Sequence, residues 1–126
     1  MCQNDLTSVL EWIKENAERY WLCDGGPLRK SSEGGAHIIM VDDPQMPIVI
    51  AIAKEQEPER PVIFRSHIQI RSDLIEIEGS PQQELWYWLW QFIGKADLFI
   101  CHPVPSFVPT CVPREIVGFM PATTDW

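Results

Sequence analysis

The run LWYWLWQFI, from Leu85 to Ile93, constrains this chain more than any other stretch. Projected at about 100° per residue, Trp88, Phe92, Leu85, Leu89, Ile93, Trp86 and Trp90 fill one arc of roughly 200°, leaving Glu84, Tyr87 and Gln91 outside it. An ordinary surface helix buries a much narrower stripe, so a single sheet face cannot cover this one. Two arrangements would: a first helix packed alongside, or a surface on another chain. Tryptophan is a frequent interface anchor, and Trp86, Trp90 and Ile93 are therefore the candidate interface residues of a two-fold homodimer. The start of the helix is well marked by Ser80 as cap, Pro81 in the first turn, Gln83 three residues after the cap and Glu84 near the positive end of the dipole. Gly94 closes it.

Upstream, Leu6, Val9, Leu10, Ile13, Ala17, Tyr20 and Trp21 recur at helical spacing, with Asp5 or Ser8 as cap and Gly25-Gly26-Pro27 as the stop. From Ala36 onward the pattern turns to short β-rich runs: HIIMV, IVIAIA, VIFRSHIQI and LIEIE. Their short connections predict an antiparallel meander. After the tryptophan helix, DLFIC and EIVGFM return to β character across the loop HPVPSFVPTCVP, whose prolines preclude a helix. The expected fold class is α+β, an antiparallel meander sheet with two helices in the order α-β-β-β(-β)-α-β-β. One domain spans residues 1–126, and 120–126 reads as a loose C-terminal tail.

A chain of 126 residues is long enough to bury about two thirds of its unfolded surface in one core. Its net charge of -8 repels nucleic acid and anionic lipid alike. No apolar run approaches the roughly 20 residues that cross a bilayer, and the start MCQNDLTSVLEWIKEN lacks the basic patch and apolar stretch of a secretory signal. A cytoplasmic protein is expected, with Cys2, Cys23, Cys101 and Cys111 as reduced thiols.

The residues that can carry chemistry are few. No known motif surrounds His37, His67 or His102. Cys101 and His102 are strand neighbours whose side chains should point to opposite faces and cannot form an attacking pair. Cys101, His102 and Cys111 are suitable zinc ligands without the paired spacing of a zinc site, so no metal and no cofactor are expected. Asp42 and Asp43 precede Pro44 as in a self-satisfied turn. The stripe Arg65, His67, Gln69 and Arg71 is the one local concentration of positive charge, so Arg65, His67 and Arg71 are a possible contact for an anion or an acidic partner. The competing reading pairs this stripe with Glu76 and Glu78 across a hairpin turned by Ser72-Asp73.

In its order of elements, size and acidity the chain resembles the small fold of bacterial type III secretion chaperones and their YbjN-like relatives. That resemblance implies a compact, usually dimeric protein without a catalytic site, and no residue role is carried over with it. The expected function is a non-catalytic, chaperone-like protein-binding module that works as a homodimer through its tryptophan-rich helix. The partner is another protein or a second copy, with neither nucleic acid nor membrane. Three alternatives stand beside it: a toxin-neutralising immunity-type protein, a small enzyme using His67 with Glu78 or the arginines in a cleft, and a small-ligand sensor using the aromatic surface.

Overall fold

The computed structural model describes residues 3–121. Helix α1 (Gln3–Tyr20) leads through an irregular segment to β1 (Ile39–Asp42), α2 (Ile48–Gln56) and β2 (Val62–Ser66). The short α3 (Ser72–Ile75) and the longer α4 (Pro81–Ile93) follow, then β3 (Leu98–Cys101) and, after a loop with two 3-10 turns, β4 (Val117–Phe119). The four strands form one sheet in the order β1-β2-β3-β4, and every pair is parallel. The proposed tail begins at Met120, whose N–H donates to the Cys101 carbonyl at 2.9 Å; residues 122–126 lie outside the described residues.

This is an α/β arrangement, and it corrects the expected antiparallel meander. The correction turns on one segment. IVIAIA is not a strand but the first two turns of α2, with Val49, Ile50, Ile52 and Ala53 all buried. Six apolar residues without polar interruption fit a core strand or a core helix equally well, and tertiary packing decides between them. Pro47 already has helical φ and ψ of -66° and -30°, which starts the helix. With a helix between them, β1 and β2 are joined by a crossover and run parallel. LIEIE likewise forms no strand: Leu74 and Ile75 belong to α3, and Glu76 to Glu78 lie in the connection to α4. The hairpin at Ser72-Asp73 and its cross-strand pairs with Glu76 and Glu78 do not form.

Helices α1, α2 and α4 make one layer, α1 on α2 and α2 on α4. Between that layer and the sheet lie Phe64 and Phe99, both fully buried with ring centroids 5.3 Å apart, with Ile13, Ile50, Val62 and Ile93 around them. Helix α4 is capped as its sequence predicts: Ser80 Oγ accepts from the Gln83 N–H, and Gln83 Oε1 accepts from the Gly79 N–H. Its wide apolar arc is shared out within the chain. Trp86, Leu89 and Ile93 are buried, and Trp88 and Trp90 pack half-buried against the core. The proline-rich β3–β4 loop sends Val108 and Val112 into the core, and Cys111 Sγ takes the Trp86 indole N–H at 3.0 Å. No helix among the described residues is long and apolar enough to cross a membrane.

The amino ends of the strands are closed by buried charge. The Arg60 side chain is wholly buried and donates to the carbonyls of Pro27, Leu28 and Arg29 at 3.1, 3.2 and 2.7 Å. Its Nε lies 3.2 Å from Glu57 Oε2, and Glu57 in turn accepts from the Ser31 N–H and hydroxyl. Those Ser31 hydrogen bonds, with help from Arg60, hold the Glu57 carboxyl below its usual range. The tethered loop runs so close to itself that a Cβ on Gly35 would sit 1.8 Å from the Arg29 carbonyl oxygen. Nearby, Asp97 Oδ2 accepts from the Val62 N–H and pairs with Lys54 Nζ at 2.6 Å. Burial pushes the Asp97 carboxyl up, but the Lys54 and Val62 hydrogen bonds outweigh it and hold the group low.

Candidate functional site

The carboxyl ends of the strands are built differently. In open parallel sheets this edge is where ligands bind, because loops leave it in diverging directions and open a crevice. Three neighbouring strands deliver polar residues there: Asp42 and Asp43 from β1, Ser66 and His67 from β2, and His102 from β3.

Asp43 organises the group. It is the one described non-glycine residue with positive φ, at 61°, a conformation that aspartate tolerates better than most. Its N–H donates to the Arg65 carbonyl at 2.9 Å, continuing the β1–β2 ladder. The left-handed turn then swings its carboxylate back over β2, where Oδ1 accepts from the His67 N–H at 2.8 Å and the Ile68 N–H at 3.2 Å. Ser66, buried, adds a hydroxyl bond to the Ile68 carbonyl at 3.0 Å. The backbone that carries His67 is thus held on both sides.

The two imidazoles of the edge meet at 5.5 Å between centroids, tilted by 50°. His102 Nε2 lies 3.0 Å from the His67 carbonyl, which can only accept, so Nε2 carries a proton and, in the neutral ring, Nδ1 is an acceptor. On His67, Nδ1 faces Arg65 Nη2 at 3.4 Å, and a guanidinium can only donate. The neutral His67 ring therefore carries its proton on Nε2. Arg65 is itself aimed by Asp42, 3.7 Å away. His67 is exposed and His102 half-buried. The edge thus offers one imidazole N–H and one imidazole nitrogen acceptor, both on a fixed backbone.

Two depressions flank it. One, of about 280 Å³, is apolar and lined by Pro44, Phe64, Ile70, Leu74, Leu85 and Trp86, among others. The other, of about 600 Å³, is polar and lies between the β2–α3 and β3–β4 loops, with Gln69, Arg71, Ser72, Ser106 and Arg114 on its walls. Ser72 Oγ ties those loops together through the Ser106 carbonyl at 2.8 Å.

Of the sequence-selected residues, Arg65 and His67 come together here and Arg71 does not join them. Arg71 makes a bidentate pair with Asp73 at 2.9 and 2.7 Å, which holds Asp73 below its usual range and raises Arg71 above its own. Trp86 and Ile93 are 3% and 1% exposed, so the surface selected for an interface is spent within the chain, and only Trp90 of the three is half-buried. His37 stands before β1 at the opposite edge. Cys101 is buried, and burial pushes its thiol up against the opposing charge of Arg114, which is contrary to what a nucleophilic thiolate needs. Sequence reasoning assigned Asp43 to a solvated turn and set His102 aside. The available signal was positional: in a parallel sheet, residues just past consecutive strands must converge.

The family described as trehalose synthase, N-terminal domain, matches residues 3–109, which include the whole cluster. The trehalose phosphorylase of Pleurotus pulmonarius is 50% identical over 115 residues, 91% of this chain and 15% of that protein. The trehalose phosphorylase of Grifola frondosa matches to the same extent. The trehalose synthase of Pyrococcus horikoshii is 30% identical over 87 residues, 69% of this chain and 18% of that protein. The chain thus spans about 15% of the length of the phosphorylases it matches. No solved structure matches it. These matches overturn the resemblance to type III secretion chaperones and, with it, the reading as a non-catalytic, chaperone-like binding module. Of the alternatives, the enzyme with an unrecognised site stands closest to them.

Proposed function

Because the chain belongs to the trehalose synthase N-terminal domain family, we propose that it supplies a sugar-binding part of an enzyme that transfers a glucosyl group to or from trehalose. The cluster of Asp43, His67 and His102, between the two depressions, is the sugar subsite. The observation that carries this reading is the convergence of these residues at the carboxyl ends of three adjacent parallel strands, inside the matched segment.

The chemistry suits a carbohydrate. A sugar hydroxyl both donates and accepts, so it is recognised best by a rigid pair of opposite character. The outward Nε2–H of His67 donates to one hydroxyl oxygen, and Nδ1 of His102 accepts from a hydroxyl. Neither group needs a charge for this. Asp43 acts through His67 as a positioning residue, since it bonds the main chain of His67 and Ile68 and not the ring. The apolar depression beside Trp86 offers a surface for the C–H face of a sugar ring. If trehalose is split by phosphate, as the relatives' name describes, a phosphate oxygen replaces the glycosidic oxygen at one anomeric carbon and the released sugar oxygen takes up a proton. In that step this chain's part is to hold and orient one glucose unit.

The test is an amide-resolved NMR titration of the chain with trehalose and with glucose. Saturable millimolar shifts centred on His67, Ile68 and His102, lost in His67→Ala, are expected. Shifts elsewhere, or an undiminished response in His67→Ala, would remove the crevice from consideration.

A further inference from the structure

The two faces of the sheet are treated unequally. The face of Ile39, Val41, Val62, Phe64 and Phe99 is buried under α1, α2 and α4. The register sets Met40 beside Ile63 and Ile63 beside Leu98, with Ile100 next to Arg65 on the same opposite face. No described helix packs on that face: Ile38 is 59% exposed, Met40 54% and Leu98 42%, with Ile63 and Ile100 half-buried between their strand neighbours. All-parallel sheets are found almost only with both faces covered, and contiguous apolar surface of this kind marks an interface. The chain's own crossovers cannot supply the missing layer. β1 to β2 to β3 advance in one direction, and right-handed connections running one way lay their helices on one side.

We infer that this face is the seat of a helical layer contributed by the remainder of a trehalose phosphorylase-length polypeptide, with Met40, Ile63, Leu98 and Ile100 as its floor. The occupant is identified by length: the matched phosphorylases hold this unit as 15% of a much longer chain, and the rest of that chain is long enough to supply the layer that a parallel sheet requires. The Arg65–Asp42 ion pair borders the apolar floor on the crevice side, so the covering layer ends where the sugar subsite begins. The inference rests on family membership and not on the sugar-binding role.

The experiment is complementation in trans. The Pleurotus pulmonarius trehalose phosphorylase polypeptide, deleted for its 115 matching residues, is co-expressed with tagged full-length chain and with its double variant Met40→Glu, Leu98→Glu. The double variant alone should melt within a few degrees of wild type, because both side chains face water. Wild type should retain the deleted phosphorylase in equal amount, and the double variant should retain at least about tenfold less, the loss expected for about 1.4 kcal/mol. Equal retention by both overturns the inference. So does light scattering that shows wild type as a tight dimer split by the double variant, since the occupant is then a second copy. If the deleted phosphorylase is insoluble in both cases, a chimera with this chain in place of the 115 residues decides. The two glutamates should lower its melting temperature far more than that of the isolated chain, and equal shifts overturn the inference. A failed sugar titration leaves every one of these outcomes readable.

Discussion

The two ends of the sheet use the same kinds of side chain to opposite purposes. At the amino end, Arg60, Glu57, Lys54 and Asp97 bond to one another and to backbone carbonyls and amides, with the Arg60 side chain wholly buried. At the carboxyl end, Arg65, Asp42, Asp43, His67 and His102 also form a network, but it ends in an exposed imidazole with a donor facing water. Polar groups turned inward onto backbone and partner charges hold the fold, and polar groups turned outward to water are free to meet a ligand. The difference follows from chain direction: in this sheet, loops at the amino end return from helices and are packed down, whereas loops at the carboxyl end diverge.

The largest effect should come from the packed end. Arg60→Ala strips three carbonyls of their donor and leaves Glu57 without its cation, so urea denaturation should show a loss of about 3–5 kcal/mol. A loss under about 1 kcal/mol would mean that the two ends are alike after all. Next is Asp43, where stability and function should separate. Asp43→Gly keeps the left-handed backbone without strain and removes the acceptor for two amides; it should cost about 1–2 kcal/mol and weaken trehalose binding more than it weakens the fold. Asp43→Ala carries the additional strain of positive φ and should be the less stable of the two by about 1 kcal/mol. If both variants bind trehalose like wild type, Asp43 positions nothing.

Acid should act on the packed end as well. The carboxyls of Asp97 and Glu57 are both held low in the folded chain. Their contribution is therefore complete above the ordinary carboxylate range near about pH 4 and is lost as pH falls through the lowered values. Asp97→Asn should flatten the acid limb of a melting-temperature profile while leaving neutral-pH sugar binding unchanged. An unchanged acid limb would show that its pair with Lys54 contributes nothing. The smallest effect is expected at Arg71→Gln. Its pair with Asp73 is exposed on both sides and screened by water, so the melting temperature should be essentially unchanged and the response of His67 and His102 to sugar should be retained.

Much of this architecture was legible in the chain and one decisive part was not. Helix α4 announced itself through Ser80, Pro81 and Gln83, whose bonds are local. The strands at Ile39–Asp42, Val62–Ser66, Leu98–Cys101 and Val117–Phe119 fall on the runs singled out by β character. Helix α2 was hidden because Ile48 to Ala53 shows no period at all, and reading it as a strand reversed the relative direction of everything after it. The site was legible in part. Arg65 and His67 stood out as a stripe, but Asp43 reaches His67 across 24 residues of sequence and His102 reaches it across 35. Those contacts exist only once the strands are known to be parallel.

The strand order also governs how the chain can assemble. Because β1, β2, β3 and β4 lie side by side in the order in which they are made, each new strand docks on an edge that already exists, and no strand waits for a distant partner. Loop closure is then divided among successive steps, which favours stepwise addition of strands over a search for remote pairings, although each parallel pairing still waits for its crossover and is slow to form. A growing polypeptide can complete this sheet from one side as it leaves the ribosome, amino end first. What such a chain exposes is the apolar floor at Met40 and Leu98, and an uncovered apolar sheet face is the part of the molecule most prone to aggregate.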